Sequence, residues 1–393
     1  MQNESIWLAT LTDSERRELV APAETVPLTS PDVLVVGGGL VGLAIAYYLA
    51  EARASVQLIT AGSLADGASG TNAGGIWPND QGLVHSDGFQ PLAFQGRDLW
   101  GRLSLQPGFD IDWRVNGFLN VNRDKFSPNA VEFAKQGQER GFTVGAVDET
   151  QIKLLEPQLR PGLTEGLHLP SEAHLHPVKA ALSLARGARR KGAIINTGIR
   201  ATRIHRDAAR VTKVETTAGT ISPKHVVVAT GWEAKWLELE QAVPAGIPLR
   251  PVKGQLVATD PLPPLIKSSI AGDVILIQLK SGEIIAGASV VESDSLVPDP
   301  QASEQFIAGA RALLPALRDV PFTRVWCGIR PGTPDGLPII DQVPGCENLW
   351  LCCGHYRNGV LLAPISGKLL ANWITRGERA EELLACRLDR FRV

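Results

Sequence analysis

The stretch Asp32-Val-Leu-Val-Val-Gly-Gly-Gly-Leu-Val-Gly-Leu-Ala-Ile-Ala-Tyr-Tyr-Leu-Ala50 decides how this chain folds. Val33 to Ala50 is uncharged over 18 residues, close to the length of a membrane-spanning helix. Gly37, Gly38 and Gly39 interrupt it, and only a four-residue Val/Leu run precedes them. That run is too short for half a helix and suits a buried strand. The reading is therefore strand, tight turn, then a helix of small and apolar residues from Leu40 to Glu51, with Ser55 to Thr60 as the next strand. In that context Gly37-x-Gly39-x-x-Gly42 is a dinucleotide fingerprint. Gly37 permits the turn, Gly39 lets a pyrophosphate approach the backbone, and Gly42 lets helix and strand pack closely, with the helix N-terminus facing the phosphates.

One part of the fingerprint is missing. The second strand ends at Thr60, where a ribose-binding Glu or Asp is usual. Replacing a charged acceptor by a neutral hydroxyl weakens such a contact by on the order of 1 kcal/mol, about a tenfold loss. A large dinucleotide makes many other contacts, so the site is weakened rather than abolished.

Outward from this core the grammar is α/β. Pro177 to Lys191 reads as a helix with Pro at its first position, and His225-Val-Val-Val-Ala-Thr-Gly231 as a buried strand. Asn348 to Cys353 is another strand, and a helix follows from about Asn358 to Arg376. Between Pro248 and Ser289 short strands alternate with Pro and Gly turns, which suggests an antiparallel sheet. The expected fold class is α/β with two domains: a Rossmann-like nucleotide domain and an inserted antiparallel-sheet domain for substrate. The expected division is a leader at 1–30, a discontinuous nucleotide domain at 31–90, 146–235 and 325–393, and a substrate domain at 91–145 and 236–324.

At 393 residues, 44% hydrophobic and 20% charged, the chain has material for a large core. Lys plus Arg (39) nearly balances Asp plus Glu (41), so no basic field exists for nucleic acid or anionic membrane. Five cysteines, all in the C-terminal fifth, form no disulfide framework or metal-binding pair, which suits a reducing, cytoplasmic setting. The first thirty residues lack the apolar core of a signal peptide. No metal-ligand cluster is expected.

The nucleotide could be NAD or FAD. NAD enzymes usually complete the fold in one block, whereas here the next sheet strand, His225 to Thr230, lies far downstream. Gly67-Ala-Ser-Gly-Thr-Asn-Ala-Gly-Gly75 is almost without bulk; it is either a backbone laid against a bulky ring or a flexible surface linker.

These segments, with Leu175-His-Pro177 and Val226-Val-Val-Ala-Thr-Gly231, resemble in residue and order the D-amino-acid-oxidase-like FAD-dependent oxidoreductase superfamily. Trp326-Cys-Gly-Ile-Arg-Pro-Gly-Thr-Pro-Asp-Gly-Leu-Pro338 and Gly354-His-Tyr-Arg-Asn-Gly-Val-Leu-Leu-Ala-Pro364 are similar to its bacterial glycine oxidase branch, which feeds thiazole assembly in thiamine biosynthesis. The likeness spans residues 30 to 378. The leader, with Ser5-Ile-Trp7, resembles the polyamine-type branch. The resemblance implies FAD held non-covalently against Leu40, Val41, Thr60, Ala61, Ala68, Ser69, Ala73, Gly74 and Gly75, with a backbone contact near Ala201. It further implies a flavin cradle of His355, Tyr356, Arg357, Asn358, Gly359, Val360 and Leu361.

Arg330 matches the arginine that holds the substrate carboxylate, a task suited to a guanidinium's paired donors; the alternative is an ion pair with Asp335. Arg357 either borders the substrate or only ties down its loop. Ile275 stands where glycine oxidase has a carboxylate-binding tyrosine, which makes the pocket more apolar and leaves room for a bulkier or N-substituted amino acid. Cys327 falls one residue from the cysteine that binds flavin covalently in sarcosine-oxidase relatives. One residue on a strand reverses a side chain, so a buried hydrophobe is expected there instead. Cys352 and Cys353 are likewise expected to be strand core, and His355 and Tyr356 to be packing residues.

The expected activity is FAD-dependent oxidation of a small amino acid, with hydride transfer to flavin N5, giving an oxo acid, ammonia or amine, and hydrogen peroxide from O2. Candidate substrates are glycine, sarcosine, a small D-amino acid or an N-substituted glycine. Two alternatives stand beside it: a dehydrogenase passing electrons to a quinone or partner subunit, and a non-catalytic FAD-binding subunit. A homo-oligomer is one state open to such a chain.

Overall fold

The computed structural model describes residues 1–20, 30–84, 88–122, 129–207, 209–236 and 246–391. Residues 21–29 of the expected leader lie outside them.

The stretch that opens the nucleotide fold forms strand Val33–Val36 and helix Leu40–Glu51. The strand lies inside a six-stranded sheet, ordered 339–342, 349–353, 225–228, 33–36, 56–59, 194–196. Neighbours run parallel except Ile339–Gln342, which is antiparallel to Leu349–Cys353. All four residues of Val33–Val36 are buried, and their alternation feeds two cores. Val33 and Val35 join the core beneath the helices, while Leu34 and Val36 join the core under the small sheet Ala201–Asp207, Arg210–Thr216 and Gly219–Ile221. Helix Leu40–Glu51 is apolar nearly all round because helices Pro177–Arg190 and Gly359–Arg376 both pack against it. Gly367 permits the second contact: a Cβ there would lie 2.6 Å from the Ala44 backbone.

The larger sheet has nine strands and is almost wholly antiparallel. Its spine is Arg250–Thr259, paired along its length with Phe322–Gly332 on one side and with Ile284–Gly287 and Val291–Glu292 on the other. Ile275–Gln278, Ser269–Ala271, Phe118–Asn120, Glu165–Leu169 and Gly145–Asp148 complete it, and the only parallel pair among them is 269–271 with 118–120. Helix Pro300–Leu313 covers one face through Ala310 and Leu313. Three strands, 145–148, 165–169 and 322–332, pair in this sheet, although the expected division assigned most of their residues to the nucleotide domain. Just before this sheet Arg114–Val115 pairs with Ala173–His174 instead, and Gly117, at φ +73°, turns the chain into Phe118–Asn120.

The N-terminal residues fold as two short helices, Ile6–Ala9 and Asp13–Leu19. A capping box between Thr12 and Glu15 starts the second. Glu18 holds Arg186 of helix 177–190 through two hydrogen bonds of 2.7 and 2.9 Å.

Candidate active site

The glycine turn is built by close backbone contacts. Gly37 has φ +125°, and a Cβ there would fall 2.4 Å from the Ala229 carbonyl oxygen. A Cβ at Gly42 would lie 2.0 Å from the Gly37 carbonyl oxygen. No larger residue keeps this turn closed. Helix Leu40–Glu51 begins at Gly39 with no side-chain cap. Leu40, an expected cofactor contact, already donates its amide to the Ser69 hydroxyl at 2.9 Å, so the helix start is tied to the 67–75 loop. Thr60 is buried, with its side chain 2.8 Å from the place a Cβ on Gly38 would take. Its carbonyl accepts from the Ile199 amide, which brings the start of strand 201–207, and so Ala201, beside Thr60 and Ala61.

The loop from Gly67 to Gly75 is not a free linker. Ala68–Gly70 is a single turn of helix, and the Asn72 side chain donates to the carbonyls of Ala68 and Ser69 and accepts from the Gly74 amide. Across it stands strand 322–332, where a Cβ at Gly328 would come 2.0 Å from the Thr71 hydroxyl.

Helix Gly359–Arg376 starts at Asn358 without a side-chain cap. The amide of Asn358, an expected cradle residue, donates to the His355 carbonyl at 2.8 Å. The amides of Gly359, Val360 and Leu361 find no backbone partner among the described residues and stand at the positive end of the helix dipole. The helix start is fixed from behind by Trp100, whose Nε1 donates to the Val360 carbonyl at 2.8 Å, and by Gly96, where a Cβ would lie 2.4 Å from the Leu361 oxygen. His355 is buried against the Ser366 hydroxyl at 3.0 Å, and burial lowers its pKa to about 4. It is a neutral packing residue. Tyr356 takes φ +47° and donates its amide to the Pro331 carbonyl, which joins this loop to the strand that carries Arg330.

Arg330 projects from strand 322–332 on the same face as Trp326 and Gly328. Its Nη1 donates to the carbonyls of Ser289 at 3.0 Å and Lys253 at 3.3 Å. Asp335, the alternative partner for Arg330, is bound instead by Arg390 at 2.7 Å. No carboxylate among the described residues pairs with Arg330 or with Arg357. Burial, and then the nearby charge of Arg357, lower the Arg330 pKa to about 10, so it stays charged at neutral pH. Arg357 itself is exposed. Ile275 is partly buried opposite Gly287, two residues before Ser289, whose carbonyl accepts from Arg330.

Cys327 points to the other face of its strand, toward Gln255 with Sγ 3.5 Å from Oε1, away from the 67–75 loop. Cys352 and Cys353 enter separate cores, as neighbours on a strand must. All five cysteines are free and buried. Among the described residues no group of His, Cys, Asp or Glu could hold a metal, and no helix is long and apolar enough to cross a membrane.

Three features of the chain fit a bound dinucleotide extended between the two helix starts. Neither start is capped by the side chain of its own N-cap residue. The Thr230 hydroxyl, beside the Gly37 turn, is buried without a partner among the described residues. The amides of Asn72 and Ala73 have no partner among the described residues.

Known proteins agree with this frame. Glycine oxidase from Pseudomonas putida is 30% identical over 366 residues, covering 89% of this chain and 96% of that one. Glycine oxidase from Bacillus subtilis is 29% identical over 371 residues, covering 91% and 97%. The crystal structure of glycine oxidase from Geobacillus kaustophilus superposes with a TM-score of 0.85 at 26% identity, covering 93% of this chain and 99% of that one. The sequence model described as DAO, FAD dependent oxidoreductase, matches residues 32–373, which takes in the glycine turn, the strand of Arg330 and the start of helix 359–376. The chain belongs to the DAO family of FAD-dependent oxidoreductases.

Proposed function

We propose that this protein is an FAD-dependent oxidase of a small amino acid, with Arg330 holding the substrate carboxylate. The observation that carries the reading is a charged, partly buried arginine with no acid partner among the described residues, on the strand facing the 67–75 loop. Such a cation is costly unless a ligand neutralises it, and a carboxylate accepts its two parallel donors well. Arg357 adds positive charge at the mouth of the site. FAD, when bound, supplies the redox chemistry, taking a hydride from the substrate Cα and passing two electrons to O2 as hydrogen peroxide.

The chain's own part is positioning and electrostatics. Arg330 would fix the carboxylate and thereby the Cα, while the amides of Gly359, Val360 and Leu361, at the positive end of their helix, would hold the negatively charged edge of a bound flavin. Water then hydrolyses the imine to an oxo acid and ammonia or an amine. Ile275 favours a substrate with apolar bulk, such as an N-substituted glycine or a small D-amino acid, beside glycine and sarcosine. The free, buried cysteines suit a reducing cytoplasm.

The test is flavin bleaching without oxygen, against glycine, sarcosine, D-alanine, D-proline, N-alkylglycines and a polyamine, followed by peroxide detection in air. Bleaching by carboxylate-bearing amines with peroxide release is expected. Bleaching only by amines lacking a carboxylate removes the role of Arg330. Turnover only with artificial acceptors makes the protein a dehydrogenase, and yellow protein that nothing bleaches makes it a binding subunit.

A further inference from the structure

Four successive carbonyls of the 67–75 loop are each held by a side chain from elsewhere in the chain. Gly70 O accepts from the Ser5 hydroxyl at 2.6 Å, and Thr71 O from Trp326 Nε1 at 3.0 Å. Asn72 O accepts from Trp7 Nε1 at 2.6 Å, and Ala73 O lies 3.0 Å from His174 Nε2. A carbonyl can only accept, so the His174 proton sits on Nε2. Two of the four donors belong to the N-terminal segment, which precedes the part of the chain that matches the family.

A trans peptide is planar, with its C=O and N–H pointing in opposite directions. Fixing the carbonyl of one residue therefore aims the amide of the next. Ser5 aims the Thr71 amide, Trp326 that of Asn72, Trp7 that of Ala73, and His174 that of Gly74. The Gly74 amide is used by the Asn72 side chain and the Thr71 amide by the Ala68 carbonyl at 3.5 Å, a long bond. Those of Asn72 and Ala73 remain, turned away from Trp326 and Trp7, which hold the carbonyls of the same peptide planes.

The N-terminal segment is itself firmly seated. Ser5 also accepts from the Trp7 amide at 3.3 Å, and Trp7 is buried against His174 and His176 with ring centroids 5.8 and 5.0 Å apart. His176 Nδ1 accepts from the Lys179 amide, so its Nε2 carries the proton and donates to Thr10 Oγ1 at 3.1 Å. At the other end Gln2 pairs with strand 322–332, donating to Thr323 O at 2.7 Å and accepting from Val325 N at 3.0 Å. One segment thus spans the loop, helix 177–190 and the strand that carries Arg330.

We propose that Ser5 and Trp7 are positioning residues for the cofactor: Trp7, beside Trp326, sets the peptide planes that turn the Ala73 and Asn72 amides toward FAD, and Ser5 holds the peptide plane just before them. This rests on the reading of the 67–75 loop as part of the FAD site.

The test uses full-length holoenzyme and two readouts. One is the rate at which FAD is released on dilution, followed by the rise of flavin fluorescence; the other is unfolding followed by circular dichroism. Ser5→Ala and Trp7→Phe each remove one donor, and each is expected to speed FAD release about three- to tenfold at temperatures where the dichroism is unchanged. Ser5→Thr keeps the hydroxyl and is expected to release FAD at close to the wild-type rate. Release at the wild-type rate in both variants, or release that quickens only as the fold melts, overturns the positioning role. Gly37→Val tests the underlying reading separately. If it keeps FAD as well as the wild type, or if the wild type carries none, the cofactor site itself is misplaced and the proposal falls with it.

Discussion

The Arg330 guanidinium lies directly over Gly254. A Cβ built on residue 254 would meet Nη2, Cζ and Nη1 at 2.3, 2.4 and 2.5 Å. Gly254 pairs with Gly328 across the two long strands, so two glycines clear the same face, one for the arginine and one for Thr71. Gly254→Ala is therefore expected to displace the guanidinium and raise KM for a carboxylate substrate about tenfold, with less effect on kcat. Steady-state kinetics over a substrate series checks this, and an unchanged KM removes Arg330 from the carboxylate site.

Arg330→Met separates binding from stability. Losing charge-assisted hydrogen bonds to a carboxylate costs about 1.5–3 kcal/mol, a ten- to hundredfold drop in kcat/KM. The same change removes a desolvated cation without an acid partner, so the melting temperature of the variant is expected to match or exceed that of the wild type. A large fall in melting temperature would show instead that Arg330 is structural.

Stability is expected to fall on acidification. Burial, with nearby positive charge, lowers the pKa of His174 to about 3 and of His176 to about 4, and burial lowers that of His355 to about 4. Each is held neutral in the fold, while in the unfolded chain each takes up a proton near pH 6.5. The unfolded state therefore binds more protons below 6.5, and stability is lost as pH falls from about 6.5 toward 4, at about 1.4 kcal/mol for each unit of pKa difference. Urea midpoints measured across that range check the sign. His355→Gln should flatten the slope, and an unchanged slope would sink the account for that residue.

Ile275→Tyr places a hydroxyl where the related glycine oxidases are expected to carry one. If Ile275 borders the substrate, KM for glycine should fall about two- to tenfold, the worth of one neutral hydrogen bond, while KM for bulkier N-substituted glycines rises. Parallel changes for all substrates would mean that the residue acts at a distance.

Cys327→Ser is expected to leave the flavin bound and the visible spectrum unchanged, because the thiol faces Gln255 rather than the loop. Flavin should also leave the acid-precipitated wild type completely. Flavin that stays with the precipitated chain, but not with precipitated Cys327→Ser, would establish a covalent link and reverse the assignment.

Some of this was legible in the sequence because the signals are local. The run from Val33 to Gly42 carries its own strand, turn and helix start, and Gly37 and Gly42 are required by contacts within a few residues or with the adjacent strand. Cys327 could be set aside by strand alternation alone, since alternation is a property of any extended chain. Arg330 was marked by its motif. That it lacks a carboxylate partner was not legible, because only the fold takes Asp335 away to Arg390, 55 residues downstream. The Asn358 amide is closed by a local turn onto His355 that residue types alone did not signal.

The sequence by itself determined the nucleotide fold, the helix that begins at the candidate flavin cradle and the arginine to watch, since each depends on short-range backbone geometry or a compact motif. Only the tertiary structure decided where the first twenty residues dock. Ser5 and Trp7 meet their partners Gly70 and Asn72 65 residues away. A hydroxyl and an indole N–H carry no mark of which distant carbonyl they will hold until packing brings the two segments together.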